Sequence, residues 1–385
     1  MTDYYNIQSN FTTEQLLIQN SVREWVDKHV KPDIGRYYQE NKSIPDLADK
    51  LAEIGAFGLI IPEAYGGLGM DYLSYGLMMQ ELERGDTSVR VMSSIQTSLV
   101  MYGISEFGSE EQKKEYLPKL ANGELLGAFG LTEPNYGSNT AAMNCHYTER
   151  GDKLVIQGSK MWIGNSAECD VALLWARGPE GNIRGILIDK QLITNFNTHV
   201  FKDKLSFKSS TTGELIFEES ELPKTQLLEK ATSLKDAYAC LNVGRFAVAW
   251  GSLGIAMDCY ETALQYSQER IQFGNPIGTK QLVQKKLAEM ITEITKAQLL
   301  CYQLSLLMDK GEAKYTQISM AKRNSVAMAR FVASEARQVL GGMGISSDYP
   351  IMRHLMNLET LVTYQGTHEI HLLITGRDIT GYDAI

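Results

Sequence analysis

Apolar residues recur at helical spacing through the first third of the chain. After TTEQ at residues 12–15, which has the form of a helix capping box, Leu16, Val22 and Val26 fall on one helical face. The stretches IPDLADKLAEIGAFGL, LSYGLMMQELERGD and SEEQKKEYLPKLANGE repeat this pattern. Together they predict an N-terminal α-helical domain over residues 1–125.

The middle of the chain changes to short apolar runs that favour β-structure. Segments such as DVALLWAR and GELIFEES are separated by glycine, asparagine, aspartate and proline. They predict a compact antiparallel barrel or sandwich, a middle β domain over residues 126–230. Because no helices alternate with these strands, a doubly wound nucleotide-binding sheet is not expected.

Long helical patterns return after the β-rich region and continue over residues 231–385. The spacing of apolar residues in ITEITKAQLLCYQLSLLMDK is typical of a bundle helix. We expect four long helices in this part, over residues 234–272, 280–310, 313–340 and 350–380. The predicted fold class is therefore α+β multidomain, with an N-terminal helical domain, a middle antiparallel β domain and a C-terminal four-helix bundle.

Composition narrows the class of protein without identifying a reaction. The 385 residues carry a net charge of −9, which argues against a nucleic-acid-binding protein. The five cysteines are widely spaced and form no CxxC pair, a pattern typical of reduced cytosolic thiols. The N-terminal MTDYYNIQSN is polar, and no apolar run approaches the roughly 20 residues of a membrane span. We expect a cytoplasmic protein without a signal peptide or a membrane segment.

Two turn-rich segments have the residue types that contact phosphate. AFGLTEPNYGSN contains glycines that allow close backbone approach, together with the hydroxyl groups of Thr132 and Ser138. In ERIQFGNPIGTKQ, Arg270 close to Phe273 suits a diphosphate beside a flat ring. On these residues alone, an ordinary loop and a solvated arginine before a helix break fit as well.

Two further segments have simpler readings. VLGGMGIS follows a predicted helix instead of a strand, so it fails as a dinucleotide-binding fingerprint and reads as a helix end. In THEIH, His368 and His371 could share a helix face, but a metal site would need at least one more ligand. Neither segment assigns a function by itself.

Six motifs occur together in a fixed order: LTEPNYGSN, KMWIGNS, CLNVGRFAVAWGSLG, ERIQFGNPIGTKQLVQKKLA, VLGGMGIS and TYQGTHEIH. In this order and spacing they resemble the acyl-CoA dehydrogenase family, and most closely its glutaryl-CoA dehydrogenase branch. The resemblance covers essentially the whole chain. It implies a helical domain, a β domain and a four-helix bundle, assembled as a homotetramer that binds FAD.

The resemblance also implies which residues contact FAD. Trp162 would stack on the face of the flavin that points away from the substrate, and Arg270, Phe273 and Gln281 would reach FAD across a subunit interface. The full set of implied cofactor-binding residues is Phe129, Leu131, Thr132, Gly137, Ser138, Trp162, Gly164, Arg270, Phe273, Gln281, Gln338, Gly341, Gly342, Thr367 and Glu369.

The implied substrate is an acyl thioester of CoA or of an acyl carrier protein. Arg90 matches the arginine that holds the distal carboxylate of the substrate in the glutaryl branch, and a guanidinium fork fits a carboxylate at two points. The implied electron acceptor is an electron-transfer flavoprotein or O2. The implied substrate-binding residues are Arg90, Ser138, Tyr238, Leu241, Asn242, Arg245 and Gly366.

Several positions depart from the family pattern. The family removes the α-proton with a glutamate, which this branch carries in a TYEGTH context, but here the residue is Gln365, whose amide has no useful basicity. Other members carry the glutamate just before the arginine that matches Arg245, where this chain has Gly244. Gly164 replaces the usual threonine that hydrogen-bonds flavin N5, which predicts an emptier region around N5 and C4a. The glutaryl branch has serine at the position of Val91.

Three explanations of Gln365 fit the sequence. It is an introduced substitution, a natural change that accompanies another reaction, or a neutral residue beside a base supplied by His368, Tyr364 or the carboxylate of the substrate. One introduced residue would not explain Gly164, so natural divergence is favoured.

The function expected from the sequence is an FAD-dependent oxidation of a short dicarboxylic acyl thioester, with or without decarboxylation. Gln365, Arg90 and Tyr364 occupy the catalytic positions. The alternatives are a flavin monooxygenase of the same fold, a non-oxidative decarboxylase and a catalytically silent thioester-binding protein.

Overall fold

The computed structural model describes residues 2–383, and seven α-helices precede its first strand. The Thr12 side chain accepts from the Gln15 amide while the Gln15 side chain accepts from the Thr12 amide, so the predicted capping box forms. A π-helical segment, Ile95–Met101, joins α5 to α6. The helices are α1 (Thr13–His29), α2 (Lys31–Glu40), α3 (Leu47–Glu53), α4 (Tyr72–Gly85), α5 (Thr87–Ser94), α6 (Tyr102–Phe107) and α7 (Glu110–Ala121).

The middle part of the chain forms one seven-stranded sheet. Its strands are β1 (Gly127–Gly130), β2 (His146–Arg150), β3 (Lys153–Ile163), β4 (Val171–Arg177), β5 (Ile183–Asp189), β6 (Phe196–Val200) and β7 (Gly213–Pro223). β4 pairs with β5 on one side and with β1 and β2 on the other, and the order continues through β3 and β7 to β6.

The sheet is mixed, so the prediction of a wholly antiparallel β domain is wrong. β1 and β2 both run parallel to β4, whereas the other pairs are antiparallel. The reason is the order of the strands along the chain. The β2–β3 hairpin lies between β1 and β4 in sequence, and it returns the chain to β4 in the direction of β1.

The C-terminal part consists of long helices, and one of the predicted helices is interrupted. Its elements are α8 (Leu234–Glu269), the hairpin β8 (Ile271–Gln272) and β9 (Asn275–Pro276), α9 (Gln281–Asp309), α10 (Tyr315–Val339), α11 (Ile351–Thr363) and α12 (His368–Thr380). The single helix predicted over residues 350–380 is wrong, because the chain turns at Gln365 and Gly366, which have positive φ angles of 53° and 98°.

Helix α8 is the core helix of the molecule. It is long and apolar enough to cross a membrane, but 94% of its most apolar window is buried inside the protein, as in the core helix of a soluble fold. A Cβ atom on Gly254 would overlap the backbone oxygen of Gln80, so glycine allows α8 to pack closely on α4. This contact brings the charged residues of α4 and α5 next to α8.

Two hydrophobic cores meet at the turn between α11 and α12. The larger core joins helices of the N-terminal and C-terminal parts, and the second joins the sheet to α6, α7 and the start of α8. Tyr364 packs against both cores. The turn therefore lies where all three parts of the chain come together.

Candidate functional site

The residues between α11 and α12 form a strained turn. Gln365 has a φ angle of 53°, which is uncommon for a residue with a side chain, and Gly366 follows with a φ angle of 98°. Thr367 ends the turn by capping α12, because its Oγ1 accepts a hydrogen bond from Ile370 N at 3.3 Å. The segment THEIH is thus a helix start, and the turn before it presents residue 365.

Two buried cations hold this turn by its backbone. Lys322 Nζ of α10 donates to the carbonyl oxygens of Tyr364 and Gly366 at 3.1 and 2.9 Å, and Arg245 Nε of α8 donates to the carbonyl oxygen of Gln365 at 2.9 Å. Three successive carbonyl groups therefore face positive charge, which offsets the cost of the strained backbone. Burial lowers the pKa of Lys322 to about 7 and the pKa of Arg245 to about 10.

The side-chain amide of Gln365 lies against α8. A Cβ atom on Gly244 would be 2.7 Å from Gln365 Oε1 and 3.0 Å from its Nε2. Oε1 is buried without a hydrogen-bond partner, and Nε2 donates to no group among residues 2–383. The two positions at which family members carry a catalytic glutamate therefore meet at one point, and this chain has a carboxylate at neither.

Arg90 is fully buried and is held by partners within the protein. Its Nε pairs with Glu83, its Nη1 donates to Ser94 Oγ at 3.1 Å, and its Nη2 donates to the hydroxyl oxygen of Tyr364. Glu83 also accepts a hydrogen bond from Thr87 Oγ1 at 2.6 Å. The Arg90 guanidinium is thus charge-balanced by Glu83, and its contact with a substrate carboxylate stays a prediction.

The titratable groups at the turn are poorly suited to act as bases. Burial raises the pKa of Tyr364 to about 12, so its hydroxyl keeps its proton at neutral pH. Burial, together with the two nearby cations, lowers the pKa of His371 to about 3. This ring lies under Gly366, and its Nε2 is 2.9 Å from where a Cβ would be. Neither of its nitrogens has a hydrogen-bond partner in the described part of the chain. Among residues 2–383, no cluster of three histidine, cysteine, aspartate or glutamate side chains could hold a metal ion.

Three of the predicted substrate contacts come together at Gln365. Asn242 Oδ1 accepts from Arg245 Nη1 at 2.9 Å, and Arg245 Nη2 would be 3.6 Å from a Cβ on Gly366. Leu241, one turn earlier on α8, is buried in the core that joins α8 to the sheet. The start of α8 and the turn therefore form one continuous surface around residue 365.

A buried ion pair holds the loop that follows β1. Lys160 Nζ donates to Glu133 Oε1 at 2.8 Å and to the carbonyl oxygen of Leu131 at 3.1 Å. Glu133 in turn accepts from the backbone N–H groups of Asn144 and Cys145 at 2.7 and 2.9 Å. The pair fixes both ends of the loop over residues 131–145 against β3.

The end of β3 carries two of the predicted flavin contacts next to this loop. Thr132 O accepts from Met161 N at 2.8 Å, which joins the two segments. Trp162 has a φ angle of 62° and is 58% exposed. A Cβ atom on Gly164 would be 2.5 Å from Ile95 Cδ1, so Ile95 occupies the space in which a threonine side chain would begin. The expected emptier region around flavin N5 and C4a stays a prediction.

The other predicted contacts near the sheet lie along the loop after β1. Tyr238 of α8 shares a hydrogen bond of 2.8 Å with Thr140 Oγ1, which joins α8 to this loop. Gly137 and Ser138 are exposed, and the space around Gly137 is open. Phe129 is buried in β1 behind the loop. This arrangement leaves a polar, accessible edge between the sheet and the start of α8.

The remaining predicted cofactor contacts lie on the surface of the C-terminal helices. Phe273 in the β8–β9 turn has a φ angle of 53° and is 93% exposed, and Arg270 precedes it. Gln338 accepts from Lys286 Nζ at 3.0 Å. The contact of Arg270 and Phe273 with FAD across a subunit interface stays a prediction. The other members of this exposed group are Gln281, Gly341, Gly342 and Glu369.

Gln365 was singled out from the sequence, but the turn around it was not predicted. Nor were the charged residues that support the site, namely Glu83, Lys322 and the Lys160–Glu133 pair. A signal was present for Lys322, which lies four residues after Ile318 and seven before Ala329, on the face of α10 that the apolar pattern buries. A lysine on such a face needs buried acceptors. Glu83 gave a similar signal within the apolar run of α4.

Comparison with known proteins identifies the family to which this geometry belongs. Models of the acyl-CoA dehydrogenase family match in three consecutive parts, the N-terminal domain over residues 12–124, the middle domain over 128–220 and the C-terminal domain over 234–380. An acyl-CoA dehydrogenase of Bacillus subtilis (strain 168) is 36% identical over 375 residues, which are 96% of this chain and 99% of the relative.

Solved structures are similar over nearly the whole length. The crystal structure of the glutaryl-CoA dehydrogenase from Mycobacterium smegmatis has a TM-score of 0.96 and 43% identity, and the match covers 98% of this chain and 97% of that one. A glutaryl-CoA dehydrogenase from the same organism, solved in complex with FADH2, has a TM-score of 0.96 and 38% identity, with 99% and 98% covered. The chain belongs to the acyl-CoA dehydrogenase family, whose three-domain fold it has.

Proposed function

We propose that this chain is an FAD-dependent enzyme that acts on the thioester of a short dicarboxylic acid, carried by CoA or by an acyl carrier protein. Membership of the acyl-CoA dehydrogenase family and the similarity to a glutaryl-CoA dehydrogenase solved with FADH2 support the flavin and the thioester. The finer part of the proposal is that the reaction starts without a protein carboxylate at residue 365.

The residues predicted to contact FAD suit a flavin ring and a diphosphate. The indole of Trp162 is 58% exposed and is available to stack on a ring. Gly137, Gly341 and Gly342 would have no atom within 4 Å of an added Cβ, so a diphosphate has room to approach their backbone. When bound, the flavin would supply two-electron chemistry. The role of these residues would be to bind and orient it.

The observation that carries the proposal is the contact between Gln365 and Gly244. Because their side-chain positions coincide, a carboxylate at either position would reach the same point. This chain has a carboxylate at neither position. General acid–base catalysis contributes about 10²–10⁴ in rate, so an amide at this point slows α-proton removal by about that factor. A substrate with its second carboxylate on Cα avoids the step, since loss of CO2 then leaves the electron pair at Cα, next to the thioester carbonyl, without removal of a proton.

Positive charge is available to such a carboxylate at two places in the site. At the first place is Arg90, although Glu83 already balances its charge. At the second place are Arg245 and Lys322, beneath the turn. Decarboxylation without oxidation remains the second candidate function, because it needs the same carboxylate and the same thioester.

We further propose that the protein works as a homotetramer in the cytoplasm. The five cysteines are all free and buried, which suits a reducing compartment. The exposed β8–β9 hairpin suits contact with a neighbouring copy. An electron-transfer flavoprotein or O2 would then reoxidise the flavin.

Anaerobic mixing of the purified protein with butyryl-CoA and glutaryl-CoA tests the proposal. We expect FAD to copurify, and both thioesters to perturb the visible spectrum of the flavin, but butyryl-CoA should not bleach it rapidly. Rapid bleaching by butyryl-CoA would show that a base is present. Protein that neither carries FAD nor binds it on reconstitution would contradict the assignment as a flavoenzyme.

A further inference from the structure

The charges around the site are balanced at one end and unbalanced at the other. Arg90 is paired with Glu83, so this end has no net charge. Among residues 2–383, no carboxylate oxygen lies within the 4.0 Å salt-bridge distance of Lys322 or Arg245. The carboxylate that attracts Lys322 is Glu369, which is exposed to solvent and acts on it less than the two arginines do. The excess of positive charge therefore lies beneath residue 365, on Arg245 and, below its lowered pKa of about 7, on Lys322.

Apart from the exposed Glu369, the groups that face these cations are neutral or carry the same charge. Lys322 donates to backbone carbonyls, Arg245 donates to a backbone carbonyl and to Asn242, and the pKa of His371 is lowered, so that its ring is neutral. A glutamate at residue 365 would add the missing negative charge, whereas Gln365 does not. Buried charge that lacks a counter-charge favours binding of an anion.

Hydrogen-bond donors are also left over at the same place. Gln365 Nε2 and Arg245 Nη2 donate to no group within the described part of the chain. Nε2 belongs to the side chain of Gln365 in the turn itself, which lies against α8. Nη2 belongs to Arg245, whose Nε donates to the Gln365 carbonyl oxygen. A carboxylate is the acceptor that such a pair of donors suits, and charge-assisted hydrogen bonds of this kind are the stronger ones.

We propose that the Gln365 end of the site, where Arg245 and Lys322 support the turn, binds a carboxylate carried on Cα of the acyl group. The substrate class is then a 2-carboxyacyl thioester, that is, a malonyl thioester or an alkylmalonyl thioester. This proposal rests on the proposed function and narrows it, because it assigns the second carboxylate of the substrate to the Gln365 end instead of to Arg90. The carboxylate of the substrate would occupy the region that the side chain of the catalytic glutamate approaches in relatives.

The chemistry of such a substrate explains why residue 365 need not be a base. The bond between Cα and the carboxylate carbon breaks, CO2 leaves, and the electron pair forms the double bond between Cα and Cβ. A hydride leaves Cβ for the flavin of the proposed function, so the negative charge of the carboxylate departs with the hydride. The products are the enoyl thioester, CO2 and the reduced cofactor, and no proton is removed from Cα.

Binding of malonyl-CoA and acetyl-CoA to the holoenzyme tests the α-carboxylate site independently of turnover. These probes differ only in the carboxylate on Cα, and neither has a Cβ hydrogen to transfer. We expect malonyl-CoA to bind at least about tenfold more tightly, because hydrogen bonds to a charged group contribute about 1.5–3 kcal/mol. Gln365→Glu should remove or reverse this preference, whereas Gln191→Glu, the same change at an exposed turn after β5, should leave it intact.

Turnover of ethylmalonyl-CoA and butyryl-CoA completes the test. The wild type should reduce its flavin with ethylmalonyl-CoA and release one CO2 per flavin, and should not do so with butyryl-CoA, while Gln365→Glu should show the opposite preference. Equal binding of malonyl-CoA and acetyl-CoA, or flavin reduction by glutaryl-CoA but not by ethylmalonyl-CoA, would overturn the α-carboxylate site and leave the proposed function in place. Failure of every CoA thioester and carrier-protein thioester to bind would overturn the proposed function itself.

Discussion

Gln365 differs from a glutamate by one atom, yet the change removes the negative charge that would face Lys322 and Arg245. The amide still has two N–H groups, and none of them is used within the described chain. Lys322 and Arg245 are buried without a carboxylate within salt-bridge distance in the described chain, which costs free energy. A ligand that carries a carboxylate would recover this cost, and a saturated monocarboxylic thioester would not.

Lys322 makes the stability of the protein depend on pH in a direction that can be calculated. Burial lowers its pKa from 10.5 to about 7, so between these values the unfolded state binds more protons than the folded state. The free energy of unfolding contributed by this lysine therefore rises with pH across this window. Lys322→Met should lack this rise. The free energy of unfolding of the wild type should therefore increase relative to that of the variant as the pH is raised.

The measurement is urea unfolding of the holoenzyme at several pH values, with the variant studied in parallel. Lys285→Met is the control, because Lys285 is exposed on α9 and pairs only with Glu289. Its difference from the wild type should not change across the same window. A constant difference for Lys322→Met as well would mean that Lys322 stays charged in the folded protein.

At the residue scale, the sequence predicted which residue was unusual but not what surrounds it. Gln365 and Gly244 stand out only against the family pattern that the sequence resembles, which places a carboxylate at one of these positions. Their contact depends on the packing of the turn against α8, and no local pattern reports that packing. Ile95 beside Gly164 is a similar case, since the two residues come from a π-helical segment and a strand far apart in the chain.

The close contact of α4 with α8 is the element-scale feature that positions the Glu83–Arg90 pair. A Cβ on Gly254 would overlap the backbone oxygen of Gln80, and backbone cannot rotate away as a side chain can. Gly254→Ala should therefore destabilise the protein by about 1–3 kcal/mol or more, as overpacking does. Thermal or urea unfolding measures this loss.

Gly376→Ala is the matched control for this prediction. Gly376 lies inside α12, and an added Cβ would meet no atom within 4 Å. The same substitution there should stabilise the helix by about 0.5–1 kcal/mol, because alanine loses less backbone freedom than glycine. Similar effects of the two substitutions would contradict the close packing of α4 and α8.

Most elements could be predicted from periodicity, and the failures have physical causes. Helices α9 and α10 form close to their predicted ranges, and α1 begins at the predicted capping box. The break between α11 and α12 carries no proline and only one glycine, so the pattern continued through it. That turn depends on buried cations from α8 and α10, which are tertiary contacts. Strand direction in the sheet also depends on tertiary contacts, so the parallel pairs were not predicted.

At the scale of the whole molecule, the β8–β9 hairpin exposes an aromatic side chain that the packing of a single chain does not explain. Phe273 is 93% exposed and contributes little to the core of its own chain. If it contacts FAD of a neighbouring subunit, Phe273→Ala should weaken retention of FAD and leave the melting temperature of the apoprotein unchanged. Absorbance of the bound flavin after gel filtration measures the retention.

Leu205→Ala is the control, because Leu205 is also apolar and is 80% exposed, outside the hairpin. This variant should keep its FAD. Equal retention in both variants would contradict the role of the hairpin, and sedimentation of the wild type would show independently whether four chains assemble.

The central claim is that residue 365 cannot remove an α-proton, and exchange of that proton with solvent tests it most directly. Butyryl-CoA is incubated with the holoenzyme in D2O, and deuterium at Cα is followed by mass spectrometry. The account predicts that the wild type exchanges this proton slower than Gln365→Glu by about 10²–10⁴, the contribution of a positioned base. Exchange by the wild type as fast as by the variant would contradict the account, because another group would then be acting as the base.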